Sequence, residues 1–120
     1  MSPSKINERL SFIRQKAKPV KLFYQRLLNG FDDSETYSLD FSLAQLILPR
    51  LKRFKELAAD RGFKPGDYEN IEDWHRDLDK MIAAFEFAGS DERWAAGNEE
   101  FAKAQEGLDL FAKNYFLLWW

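Results

Sequence analysis

The chain has 120 residues, 45% of them hydrophobic and 16% aromatic, which is enough for one self-sufficient domain and excludes a disordered polypeptide. It has no cysteine, which excludes a disulfide framework, thiolate metal sites and a cysteine nucleophile; the longest uncharged, largely apolar run, 41–49, is far too short to cross a bilayer. Net charge is only -2, yet residues 1–30 hold seven basic side chains against one acidic, 31–65 hold six of each, and 66–120 hold five against thirteen.

The first predicted element is the basic segment 1–29. Ile6, Leu10, Ile13, Ala17, Val20, Tyr24 and Leu27 recur at spacings of four and three, one face of a helix. Pro19 removes a backbone donor and biases Lys18 away from helical angles, so a kink or a split is expected there. Asn29-Gly30 ends the segment, and the acidic stretch Asp32-Asp33-Ser34-Glu35 reads as a loop or short turn. A second helix is expected over 38–61, bent at Pro49 and closed by Gly62 as a left-handed cap, with Pro65-Gly66 beyond. A third over 71–88 has Asn70 as N-cap, acidic Glu72 and Asp73 in its first turn, and a stripe of Ile71, Trp74, Leu78, Met81 or Ile82, and Phe85. Gly89 ends it, and Ser90 caps a fourth helix over 91–118, with a stripe through Trp94, Gly97, Phe101, Ala104, Leu108, Phe111, Tyr115 and Leu118. Gly97 and Ala104 are small enough to admit a neighbouring helix. No segment alternates with a period of two. The fold class is therefore all-α, a compact bundle of four to five helices in a single domain, 1–120.

Chemistry-bearing constellations are sparse. The one histidine, His75, follows Glu72 by three residues and precedes Asp79 by four, a Glu-x-x-His spacing that helical di-metal proteins use twice. With no second histidine, no metal site is assigned, and His75 reads as a surface histidine between carboxylates. No Gly-rich phosphate loop or nucleophile elbow is present, and no nucleophile can be matched to His75, so no catalytic residue and no cofactor are assigned. Arg50, Lys52, Arg53 and Lys55 form a basic cluster, either a solvated helix face or a site for an anionic ligand, with Leu51 and Phe54 facing inward beside Ile47 and Ala58. Lys16, Lys18 and Lys21 extend the basic surface and make nucleic-acid binding by the first helix an alternative. The bland reading of the charge asymmetry is that the basic first helix lies against the acidic later ones; an exposed acidic half would instead be a docking face. The last five residues, Phe116-Leu117-Leu118-Trp119-Trp120, either close the base of the bundle or anchor an interface; Phe116, Trp119 and Trp120 are the interface candidates.

The block Tyr37-Ser-Leu-Asp-Phe-Ser-Leu-Ala-Gln-Leu-Ile-Leu-Pro-Arg-Leu-Lys-Arg-Phe-Lys-Glu56 resembles a widespread family of small uncharacterised phage and prophage proteins. The likeness continues through Trp74 to Glu86 and through Gly107 to Phe116; the three blocks cover less than half of the chain. The resemblance implies a phage accessory protein acting in the bacterial cytoplasm; with no catalytic residue assigned from the sequence, action by binding is expected. Its expected partner is a host or defence protein that it modulates or inhibits, and self-association into an oligomer is also expected. Sequestration of an anionic small ligand or nucleotide by a helical oligomer is the second reading, and no membrane association is expected.

Overall fold

The computed structural model describes residues 19–120. Among the described residues every regular element is helical, as the periodicity predicts. Helix α1 covers 19–29, α2 is Ser34–Tyr37, α3 is Leu39–Asp60, α4 is Ile71–Ala88 and α5 is Asn98–Lys113; short 3-10 turns occupy Asp91–Ala95 and Tyr115–Leu117. These residues fall into two compact units that divide between Leu39 and Asp40, inside the first turn of α3, where the single-domain reading drew no boundary. Ile6, Leu10, Ile13, Ala17, Lys16 and Lys18, and with Lys18 the bend expected at Pro19, lie outside the described residues.

In the first unit, Gly30 takes a left-handed φ of 81° and stops α1, its N–H bonding to the Arg26 carbonyl at 3.0 Å. The acidic stretch that follows is a knot of local bonds. Asp32, 2% exposed, accepts from the Ser34 N–H at 2.9 Å and from Arg26 at 2.6 Å, while the Glu35 carboxylate accepts from the Asp32 N–H at 2.6 Å. This reciprocal bonding satisfies donors at the start of α2 that have no helical partner.

The second unit is built around α4. Trp74, Leu78 and Met81 recur at four and three residues, and all three are fully buried. Helix α3 contributes Ala44, Leu51 and Ala58 at seven-residue intervals, with Ile47, Leu48 and Phe54 partly buried beside them. The inward face read from the sequence is thus the observed one. Pro49 does not end α3, which runs unbroken for 22 residues. The missing proline N–H frees the Gln45 carbonyl from its helical bond, and one residue on, the Arg50 guanidinium donates to the Leu46 carbonyl at 2.8 Å. At the C-terminus Gly62 adopts φ 65°, and Phe63 N–H to Ala58 O (2.8 Å) with Gly62 N–H to Ala59 O (3.1 Å) completes a Schellman cap.

Two expectations fail in the last helix. Residues 91–118 are not one helix: Ala96 and Gly97 are extended, so Ser90 caps only a 3-10 turn, and α5 restarts at Asn98. Gly97 is the N-cap, its N–H bonded to the Glu100 carboxylate at 2.8 Å, and not a packing notch. The notch is Gly107. A Cβ there would lie 2.3 Å from the Lys80 carbonyl oxygen and 2.6 Å from the Ala84 Cβ, so α4 and α5 touch backbone to backbone at this point. Of the expected stripe, Trp94 before the break and Tyr115 beyond the end of α5 are 76% and 56% exposed, and Phe101 is half exposed.

Candidate interaction surfaces

The basic cluster on α3 is largely engaged within the protein. Lys52 pairs with Glu86 at 3.3 Å and Lys55 with Asp79 at 2.5 Å, both carboxylates on α4; Arg53 pairs with Glu56 at 2.8 Å, and Arg50 bonds to Leu46 as described. A shallow groove of about 380 Å³ lies along Lys52, Lys55, Glu56, Ala59 and Ile82. An anion entering it would have to compete with the carboxylates already holding both lysines. The geometry therefore gives an open anion site less support: Lys52 and Lys55 tie α3 to α4, as Lys80 and Glu106 (2.8 Å) tie α4 to α5. Lys21, the one described member of the basic N-terminal set, is 3.5 Å from Asp33.

His75 is half-buried, and its Nε2 is sheltered with no hydrogen-bond partner. Neither Glu72 nor Asp79 bonds to it, since Asp79 is turned to Lys55, so the surface-histidine reading is corrected. Among the described residues no group of three or more metal-ligating side chains comes together, and no helix is long and apolar enough to cross a membrane.

A polar network that the sequence does not reveal organises the end of the second unit. Tyr68, in the loop after α3, donates its hydroxyl to Asp77 of α4 at 2.7 Å and accepts from the buried Asn114, the C-cap of α5, at 3.0 Å. Its ring packs on Trp74 at 4.9 Å, and Lys64 donates to its carbonyl at 2.6 Å. Burial, reinforced by the Asp77 carboxylate, pushes the Tyr68 phenol up to about 12. These residues are 9 and 46 positions apart along the chain, and each is an unremarkable polar residue in isolation.

The network fixes the start of the C-terminal tail, and the tail forms the most conspicuous surface of this unit. After Asn114 the backbone turns through the 3-10 segment, tucking Leu117 and Leu118 against the core. Phe116, Trp119 and Trp120 stay 87%, 63% and 48% exposed. They are nonetheless held: Trp119 lies 5.4 Å from the Phe63 ring, the Arg61 guanidinium stacks 4.0 Å over Trp120, and Phe116 meets Tyr115 edge-on at 5.4 Å. From Tyr115 the aromatic contacts run inward through Phe111 to Phe85 of the core. The last five residues thus divide between core and surface. The leucines pack against the core, and the three aromatic candidates are exposed. Their partners Arg61 and Phe63 were missed, because only the Schellman turn at Gly62 brings them to the tail.

A further clamp joins the first turn of α3 to the segment after α4. Asp40 accepts from Arg93 and from the Phe41 N–H (2.9 Å), and Arg93 also donates to the Ala88 carbonyl at 3.2 Å and lies 4.7 Å over the Trp94 ring. The Phe41 amide and then Arg93 hold the Asp40 carboxyl below the ordinary aspartate range. Comparison with protein-family models, with curated proteins and with solved structures finds no match.

Proposed function

We propose that this protein works by binding a protein partner through the aromatic surface of Phe116, Trp119 and Trp120, supported by Phe63 and Arg61. The observation that carries the reading is that these side chains are exposed yet ordered by specific contacts. Large rigid aromatics with an adjacent arginine are the residues that dominate binding energy at protein interfaces, because they bury much area at little entropic cost. The resemblance to phage and prophage proteins supplies the context: the partner is a host or defence component in the bacterial cytoplasm, and binding occludes its surface without any reaction. Capture of an anionic ligand by Arg50, Lys52, Arg53 and Lys55 gains less support, since each of the four is engaged by a carboxylate or a carbonyl.

The test is retention of a host protein on the immobilised chain, followed by affinity measurement with the purified partner. Trp119→Ala with Trp120→Ala should weaken binding by about 30-fold or more, the scale of interface hot spots, with unchanged helical circular dichroism. A partner bound equally by wild type and by this double variant would place the interface elsewhere.

A further inference from the structure

The first unit presents a second apolar surface of a different kind. At 100° per residue, Val20, Phe23, Tyr24, Leu27 and Leu28 of α1 fall within an arc of about 140°, and their exposures are 60%, 53%, 60%, 65% and 81%. Phe31, 49% exposed, follows them just beyond the helix end. The opposite side of α1 is the one that the unit uses internally. Arg26 pairs with buried Asp32 and Gln25 accepts from the Asp33 N–H at 2.7 Å, while Lys21, at the edge of the apolar arc, lies 3.5 Å from Asp33. The helix is thus anchored by its polar face and offers its apolar face outward.

We propose that two copies of the chain pair through this face of α1 about a twofold axis. Three features favour a second copy as the occupant. Six half-exposed side chains of this size offer about 600 Å² per copy, or roughly 1,200 Å² in a pair, the lower end of what specific interfaces bury. Among the described residues the face carries no charge, and the flanking Lys21 and Arg26 are paired with Asp33 and Asp32 of the same unit, so these parts of two identical faces meet without like-charge repulsion. Apolar positions three and four residues apart suit the packing of one helix on an identical one. The pairing is independent of the aromatic surface in the second unit.

Sedimentation equilibrium of the full chain over a micromolar-to-millimolar series tests it. Wild type should move from one to two chain masses. Leu27→Glu should remain a monomer throughout, Leu27→Ala should weaken pairing by about tenfold or more, and Asn29→Glu, on the opposite side of α1, should pair as wild type does. Leu27→Ala keeps a good helix former at the position, so a weakened dimer with intact circular dichroism separates loss of the interface from loss of the helix. A wild type that stays monomeric over the whole series overturns the proposal. So does a dimer that survives both Leu27 substitutions, or one that is lost in Trp119→Ala instead.

Discussion

The two units solve the same problem in opposite ways. In the second, α3, α4 and α5 turn their apolar stripes toward one another: Trp74, Leu78 and Met81 are sealed, and Lys52, Lys55 and Lys80 pair across the helix seams. In the first, α1 turns its polar side to the acidic knot around Asp32 and leaves Val20, Tyr24 and Leu27 outside. Burial of apolar surface is the dominant favourable term in folding, so the second unit holds itself together by its core. Among its described residues the first shows hydrogen bonds and ion pairs, which are worth far less net because water competes for the same groups. What the contrast teaches is that the same 3.6-residue pattern marks a core where neighbours converge on it and stays an exposed apolar face where they do not.

The largest effect that would sharpen the contrast is Trp74→Ala, expected to cost about 3–5 kcal/mol, as truncation of a buried aromatic does. Leu28→Ala in α1 should change monomer stability by less than about 0.5 kcal/mol. Urea unfolding of both variants at low concentration decides it, and equal losses would erase the distinction between the units. Next comes Gly107→Ala. Helix propensity alone favours alanine by about 1 kcal/mol, but the new Cβ meets the Lys80 carbonyl and Ala84, and over-packing should leave a net loss of about 1–3 kcal/mol. A variant more stable than wild type would mean that α4 and α5 separate at little cost.

A third comparison sets Asp32 against Asp40. Both carboxyls are held below the ordinary range, Asp32 first by the Ser34 hydroxyl and then by Arg26, Asp40 first by the Phe41 amide and then by Arg93. A depressed folded-state value means stability that is present above the unfolded pKa and lost as pH falls through the folded one. Asp32→Asn should remove amide protection in α1 and α2 while sparing α4; Asp40→Ala should lower the melting temperature of the second unit. Hydrogen exchange read by segment distinguishes them, and an unchanged melting temperature in Asp40→Ala would argue against the Arg93 clamp.

Tyr68 gives a smaller effect with a definite pH window. Its folded value lies near 12 against an ordinary 10.0, so the unfolded chain releases this proton first, and stability falls as pH rises from about 10 toward 12. Tyr68→Phe should flatten that part of the stability–pH curve relative to wild type, and parallel curves would count against the Asp77–Tyr68–Asn114 network. Smallest are the exposed pairs. Lys52→Met should cost at most about 1 kcal/mol, and the difference should shrink in high salt.

Local chemistry was well read from the chain because it depends on neighbours in sequence. Asn70 caps α4 by accepting from the Asp73 N–H at 2.8 Å, Gly62 takes the left-handed turn, and α4 has its expected bounds. The same local reading failed at Gly97, where a glycine followed three residues later by Glu100 makes a helix start more favourable than a continuous helix. It had no means of finding Gly107, whose importance arises from a backbone 27 residues earlier, or of knowing that Lys52 and Lys55 would meet Glu86 and Asp79. Of the candidate aromatic surface, Phe116, Trp119 and Trp120 were legible as a dense apolar cluster, but Arg61 and Phe63 were not.

The sequence by itself determined the helical class, the caps and the inward faces of α3 and α4, because periodicity, turn residues and capping act within a few residues of one another. Only the tertiary structure decided which stripes became core, which charges were neutralised, and which aromatics stayed exposed. Those outcomes depend on distances between segments far apart in the chain, where burial and pairing are set by what arrives opposite each side chain.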